Sequence, residues 1–187
     1  MRYILSSMLV ALAASVPAVA AENVSVPAFN NVELIGGGEV TLVPGATQRV
    51  TIVEGSSAFT HMRVDRDGKL KIDTCDERCP QHYTLRVEIQ SPRVPGVGVT
   101  GGGAIHAAGG FAEQAQIAAG VSGGGVIDLR AVRGASVAVG VNGGGKVLVN
   151  ARETLAAGVN GGGEVRYIGN PQVTSAIDGG GTVRPVS

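Results

Sequence analysis

Along most of this chain, apolar residues recur at every second position, and the runs are cut by glycine. Val32 and Leu34, then Val40 and Leu42, then Val50 and Ile52 alternate with polar neighbours between Ala28 and Val53, the period of a half-buried strand. Met62 to Asp65 and Lys69 to Ile72 flank Arg66-Asp67-Gly68. A three-residue loop with Gly68 left-handed pairs Val64 with Leu70 and Met62 with Ile72, so the apolar side chains share a face and predict a hairpin. Tyr83, Leu85, Val87 and Ile89 alternate again before Ser91-Pro92 to Pro95-Gly96 interrupts. No segment keeps a helical period; Phe111 to Ala119 comes nearest, and its length and neighbours favour a strand connection.

The glycines themselves repeat. Triplets stand at Gly36, Gly37 and Gly38; Gly101, Gly102 and Gly103; Gly123, Gly124 and Gly125; Gly143, Gly144 and Gly145; Gly161, Gly162 and Gly163; and Gly179, Gly180 and Gly181. The last five are spaced regularly, too closely for separate domains, which marks a structural repeat. Aligned on the first glycine, four columns emerge. Two positions before it lie Leu34, Val99, Val121, Val141, Val159 and Ile177; four positions after it lie Val40, Ile105, Ile127, Val147, Val165 and Val183. The columns four before and six after are also mainly apolar. Steps of two place each set on one face of its strand, and repetition stacks like on like. Each triplet sits where one inward strand bends into the next, a structural corner. The column just before the glycines is mostly polar instead: Ile35, Thr100, Ser122, Asn142, Asn160 and Asp178. Asn142 and Asn160 fall one coil apart and form a candidate polar ladder.

This pattern predicts an all-β fold, a parallel β-solenoid or β-helix, with a right-handed coil favoured over a left-handed one. Val141, Val147 and Val159 fit left-handed hexads only by skipping Glu153. The first 21 residues read as a signal peptide, with Arg2, an apolar run and Ala18-Val19-Ala20 before the cut. Residues 22–187 read as one domain, 22–95 less regular and 96–187 the glycine-triplet coils. A coil stack exposes its last coil, so the ending from Thr182 to Ser187 calls for a small cap or cover by another subunit.

Composition narrows the chemistry. Fifteen basic residues balance fifteen acidic ones, which argues against nucleic acid and against a polybasic membrane patch. Aromatics are 3% with no Trp, so stacking platforms for sugars or bases are scarce. After the leader, no apolar run is long enough for a membrane span. Cys75 and Cys79 are expected to form a disulfide around Asp76-Glu77-Arg78 in an exported protein; a metal site with His82 would need further ligands.

The triplets do not continue into Lys-Ser or Lys-Thr, so a phosphate loop is not supported. Asp65-x-Asp67-Gly68 opens like a calcium loop, but Lys69 takes the next ligand position. His61, His82 and His106 lie in unrelated contexts. Asp128, Glu164 and Asp178 occupy different columns, and Glu113 and Glu153 lie in connections, so no clustered carboxylates point to glycoside chemistry. No catalytic, metal or cofactor-binding residue is assigned and no cofactor is expected.

The stretch from Phe29 to Val40 (Phe-Asn-Asn-Val-Glu-Leu-Ile-Gly-Gly-Gly-Glu-Val), then Leu70-Lys71-Ile72, Leu85 to Ile89 and the repeated triplets followed by x-Val or x-Ile, resemble the bacterial head GIN domain family, labelled putative auto-transporter adhesins. In that family the corner is usually Ser-Gly-Ser-Gly-Asp; here glycine replaces the second serine, and Glu39, Lys146 and Glu164 alternate with Ala104, Val126 and Thr182 at the acidic position. The resemblance implies an exported, β-rich, solenoid-like protein of the periplasm, outer surface or medium. The expected role is non-enzymatic: binding, adhesion or scaffolding toward an envelope protein or polysaccharide, with homo-oligomers allowed. The competing expectation is a carbohydrate-active β-helix enzyme or polysaccharide-binding module.

Overall fold

Strands are what the period-two stretches form. The computed structural model describes residues 21–75 and 79–186, so residues 1–20, on which nearly all of the expected signal peptide of residues 1–21 falls, residues 76–78 and Ser187 lie outside it. The strands in chain order are β1 (Glu22–Val24), β2 (Asn31–Gly36), β3 (Glu39–Pro44), β4 (Arg49–Glu54), β5 (His61–Val64), β6 (Lys69–Asp73), β7 (Arg86–Ser91) and β8 (Gly96–Gly101). They continue as β9 (Ala104–Ala107), β10 (Gln114–Gly123), β11 (Val126–Gly143), β12 (Lys146–Asn160), β13 (Glu164–Ile168), β14 (Gln172–Asp178) and β15 (Thr182–Pro185). No helix occurs among the described residues, and the Phe111 to Ala119 stretch leads into β10.

All fifteen strands belong to one curled, mixed sheet. Its path climbs one wall through β5, β6, β2, β8 and β10, turns at β11, and returns along a second wall through β9, β3, β7, β4 and β1. The long strands make the turn possible. The start of β11 pairs with β9 (Ile127 beside Ile105), while its end pairs with β10 (Val141 beside Val121). β12 repeats this one layer further, pairing with β13 and β14.

Pairing is parallel throughout the triplet region, and the registers join like columns: Val99, Val121, Val141, Val159 and Ile177 lie abreast. Antiparallel pairs occur only toward the N-terminal part, β1 with β4, β4 with β7, and β5 with β6. A tight hairpin explains the last. Met62 pairs with Ile72 and Val64 with Leu70, Gly68 has φ 71°, and Asp65 Oδ1 accepts from the Asp67 and Lys69 N–H groups at 3.1 and 3.0 Å. Those bonds occupy the carboxylate in the turn.

Aliphatics from both walls meet between them. Leu34, Val40, Leu42, Leu70, Ile72, Ile89, Ile105, Ile127 and Leu129 are fully buried, each worth roughly 1.5–3 kcal/mol of burial. Tyr83 pins the 55–60 segment to this core. Its hydroxyl accepts from Ser56 N–H and bonds Thr60 Oγ1, and its ring meets Phe59 edge-on at 5.7 Å. Cys75 and Cys79 are joined by a disulfide beside Thr74, whose hydroxyl donates to the Gly37 carbonyl at the first corner.

The three glycines of a corner face different constraints. Gly143 has φ 113°, and an added Cβ would lie 2.8 Å from the Gly123 carbonyl oxygen below it. At Gly145 a Cβ would lie 2.4 Å from Val121 Cγ1. Gly144 between them has open space. Corner backbones also bond directly, Gly144 N–H to Gly123 O and Lys146 N–H to Gly125 O at 3.0 and 2.9 Å. Gly143→Ala and Gly145→Ala are therefore expected to lose about 1–3 kcal/mol each, seen as a Tm lower by several degrees, whereas Gly144→Ala stays within about 0.5 kcal/mol of the parent. Equal losses at all three positions would refute this division. The Cys75→Ser, Cys79→Ser double variant should lose about 2 kcal/mol, the loop-closure entropy of so short a ring, read from denaturant midpoints.

Candidate functional site

The outer face of the first wall carries an elongated trench of about 1160 Å³. Its floor is a second glycine column, three residues before each of the last five triplets: Gly98, Gly120, Gly140, Gly158 and then Ala176, abreast on five parallel strands. Strand spacing makes the row roughly 20 Å long. Ala118, Ala138, Ala156 and Thr174 flank one side; Thr100, Ser122, Asn142, Asn160 and Asp178 flank the other. Inward neighbours on the same strands, such as Val121 and Val139, hold the floor against the core.

One end of the trench is walled. Glu33 accepts from Thr100 Oγ1 at 3.1 Å and pairs with Lys69 at 3.3 Å, and the Asn31 side chain lies over Gly96. The other end, at Ala176, is open. Asn142 and Asn160 stand side by side on the rim in register. A hydroxyl bond between Thr154 and Ser136, 2.9 Å, ties the same strands further along. The floor column escaped the sequence reading although its signal is plain: Gly-Val-Thr, Gly-Val-Ser, Gly-Val-Asn and Gly-Val-Asn precede successive triplets.

The second wall presents charge instead. Glu164 Oε1 accepts from Arg166 Nε at 2.7 Å and Arg184 Nη2 at 2.6 Å, and Lys146 Nζ lies 3.2 Å from Oε2. The Arg184 hydrogen bond first, then those from Arg166 and Lys146, hold its carboxyl down at about 2. Asp128 is likewise lowered, chiefly by the Arg130 hydrogen bond, 2.6 Å at Nη2. Both carboxyls are pushed away from the raised values a general acid needs. Asp178, the third carboxylate, lies on the trench rim of the other wall.

The histidines are dispersed. His61 lies in β5, His82 follows the disulfide with φ 65°, and His106 in β9 lies 3.9 Å from Glu39. No group of three or more His, Cys, Asp or Glu able to hold a metal occurs among the described residues, and Cys75 and Cys79 are spent on each other. No helix among them is long and apolar enough to cross a membrane, which leaves β-barrel spanning aside.

Glu164 binds its proton more weakly in the fold than the ordinary carboxyl value of 4.5 allows, so its stabilisation is complete above about 4.5 and is lost as pH falls toward 2. Screening holds each such surface pair to under about 1 kcal/mol. Glu164→Gln should lower Tm modestly at pH 7, flatten its fall between pH 5 and 2, and lose much of its effect at 1 M salt, where the Debye length is about 3 Å. Unchanged pH profiles in scanning calorimetry would remove the network from the account.

Among solved structures, the chain is similar to a putative adhesin from Bacteroides fragilis (18% identity, 89% of this chain and 96% of that one, TM-score 0.49). It is also similar to a putative adhesin from Parabacteroides merdae (16% identity, 90% and 96%, TM-score 0.40) and a putative lipid binding protein from Parabacteroides distasonis (15% identity, 90% and 96%, TM-score 0.37). No curated protein matches. The family described as "Putative auto-transporter adhesin, head GIN domain" matches residues 28–116 and 96–171. With its corners, parallel registers and hairpin accounted for, this chain belongs to that family.

Proposed function

We propose that this chain is an exported, non-enzymatic envelope or cell-surface protein whose trench binds an extended partner in an adhesion or scaffolding role. The carrying observation is the trench itself. Its floor is backbone and methyl groups over five strands, open at one end, with hydroxyl, amide and carboxylate groups along one rim. Such a surface admits a long, flat ligand in close contact with the backbone and offers hydrogen bonds along its length. A polysaccharide or an extended segment of a surface protein has that shape. The depressed carboxyls of Asp128 and Glu164 support binding over acid-base catalysis.

The same reading takes residues 1–21 as a cleaved signal peptide and 22–187 as one domain. The in-register parallel layers from Gly96 onward support coils of a right-handed β-solenoid, with the antiparallel strands as a less regular N-terminal part. Membership of an adhesin family agrees with a site on the bacterial surface or in the envelope.

Gly140 and Gly158 allow a clean test, because an added Cβ at either meets nothing within 4 Å. Gly140→Leu and Gly158→Leu should fill the floor, leave Tm within a few degrees, and weaken binding of the purified protein to envelope fractions at least about tenfold, the loss of roughly 1.4 kcal/mol. Undiminished binding by both variants would move the site off the trench. Polysaccharide cleavage abolished by Asp128→Asn or Glu164→Gln would replace the binding reading with an enzymatic one.

A further inference from the structure

Four strands end the sheet, β1, β5, β14 and β15, and three of them are guarded against pairing with another chain. β1 is three residues long; β5 is four and carries His61 and Arg63; β15 is four and carries Arg184 and Pro185. Short length, charge and proline are the usual protections of an edge. β14 is neither short nor interrupted by proline, and its one charge, Asp178, stands at its end. It runs seven residues, Gln172 to Asp178, every one exposed, without Lys, Arg or Pro.

Its free side is ready to pair. The Asp178 carbonyl accepts from Gly161 N–H at 2.7 Å, with Asn160 abreast of Asp178, so the backbone groups of Asp178 point at β12. Alternation along a strand then turns Ala176, Thr174 and Gln172 the same way and leaves the N–H and C=O of Val173, Ser175 and Ile177 facing outward. The side chains of those same three residues continue inward columns. Val173 and Ile177 are 37% and 46% exposed, where Leu155 and Val159, one strand back in register, are 1% and 2%.

We propose that β14 pairs antiparallel with β14 of a second copy of this chain, about a two-fold axis at Ser175. The sequence Val173-Thr174-Ser175-Ala176-Ile177 reads large, small, small, small, large in either direction, so the strand is complementary to its own reverse. In this register Ser175 meets Ser175 as a hydrogen-bonded pair, Val173 meets Ile177 of the second copy on the inward face, and roughly six backbone hydrogen bonds form. Charge agrees with the register. The one charged residue of the strand, Asp178, falls opposite Gln172, and the two Asp178 carboxylates stay about 20 Å apart, beyond the Debye length of about 8 Å at physiological salt. Outside, Ala176 falls beside Thr174 of the second copy, and the open end of the trench runs on into its counterpart. The pairing does not depend on what the trench binds.

Two measurements on the purified protein test it. Sedimentation equilibrium should show a dimer, and Ser175→Pro, which removes an N–H pointing to the free edge, should weaken it at least about tenfold with far-UV circular dichroism unchanged. Ser175→Cys should give a disulfide-linked dimer under mild oxidation, because a hydrogen-bonded antiparallel pair sets its Cα atoms about 5.5 Å apart; Asp178→Cys should not. A wild-type monomer up to about 100 µM, a dimer indifferent to Ser175→Pro and Ser175→Cys, or assemblies that grow without limit would each overturn the proposal.

Discussion

Backbone-to-backbone contact at the corners is the constraint on which the rest depends. From the second triplet onward, the first glycine lies against the one a layer below, as Gly143 does on Gly123 and Gly161 on Gly143, at distances that exclude a side chain. The corner can then hold strand spacing, and the strands on both of its sides stay in hydrogen-bonding register. A bulkier corner would splay the layers, and the columns led by Val141 and Val147 would lose contact with those above and below.

From that spacing the division of labour between the walls follows. The strands before each corner turn Val121, Val141 and Val159 inward, and their outward positions hold glycine and alanine, leaving a shallow open trench. The strands after the corner turn Ile127, Val147 and Val165 inward and carry charges outward. Those charges pair locally: Asp128 with Arg130, and Glu164 with Lys146, Arg166 and Arg184. A wall of paired charges is well solvated, whereas the trench offers little beyond shape and hydrogen bonds. The contrast directs functional attention to the trench.

The N-terminal part solves a different problem. A stack of parallel layers needs ends, and the hairpin of β5 and β6 and the antiparallel β1, β4 and β7 supply one by adding strands with short or charged edges. At the opposite end β14 has no such covering, so Ile177 stays exposed while Val159, in the same column, is buried.

The strands, the hairpin register at Met62 and Ile72, and the inward columns were legible in the sequence because a period of two states which residues share a face, and a fixed repeat states which will stack. The all-β class followed from the same pattern. The antiparallel pairing of β1, β4 and β7, the curl of one sheet into two walls and the trench were not legible. Gly140 and Gly158 lie 18 residues apart, and only the parallel register sets them side by side as one floor. Likewise Lys146 and Arg184 come from the strands on either side of Glu164 and Arg166, and the largest cause lowering the Glu164 carboxyl, the Arg184 hydrogen bond, exists because those strands are neighbours. Local alternation determined which way each side chain points; which side chains meet was decided by long-range pairing, because hydrogen bonds between layers join residues that the chain itself keeps apart.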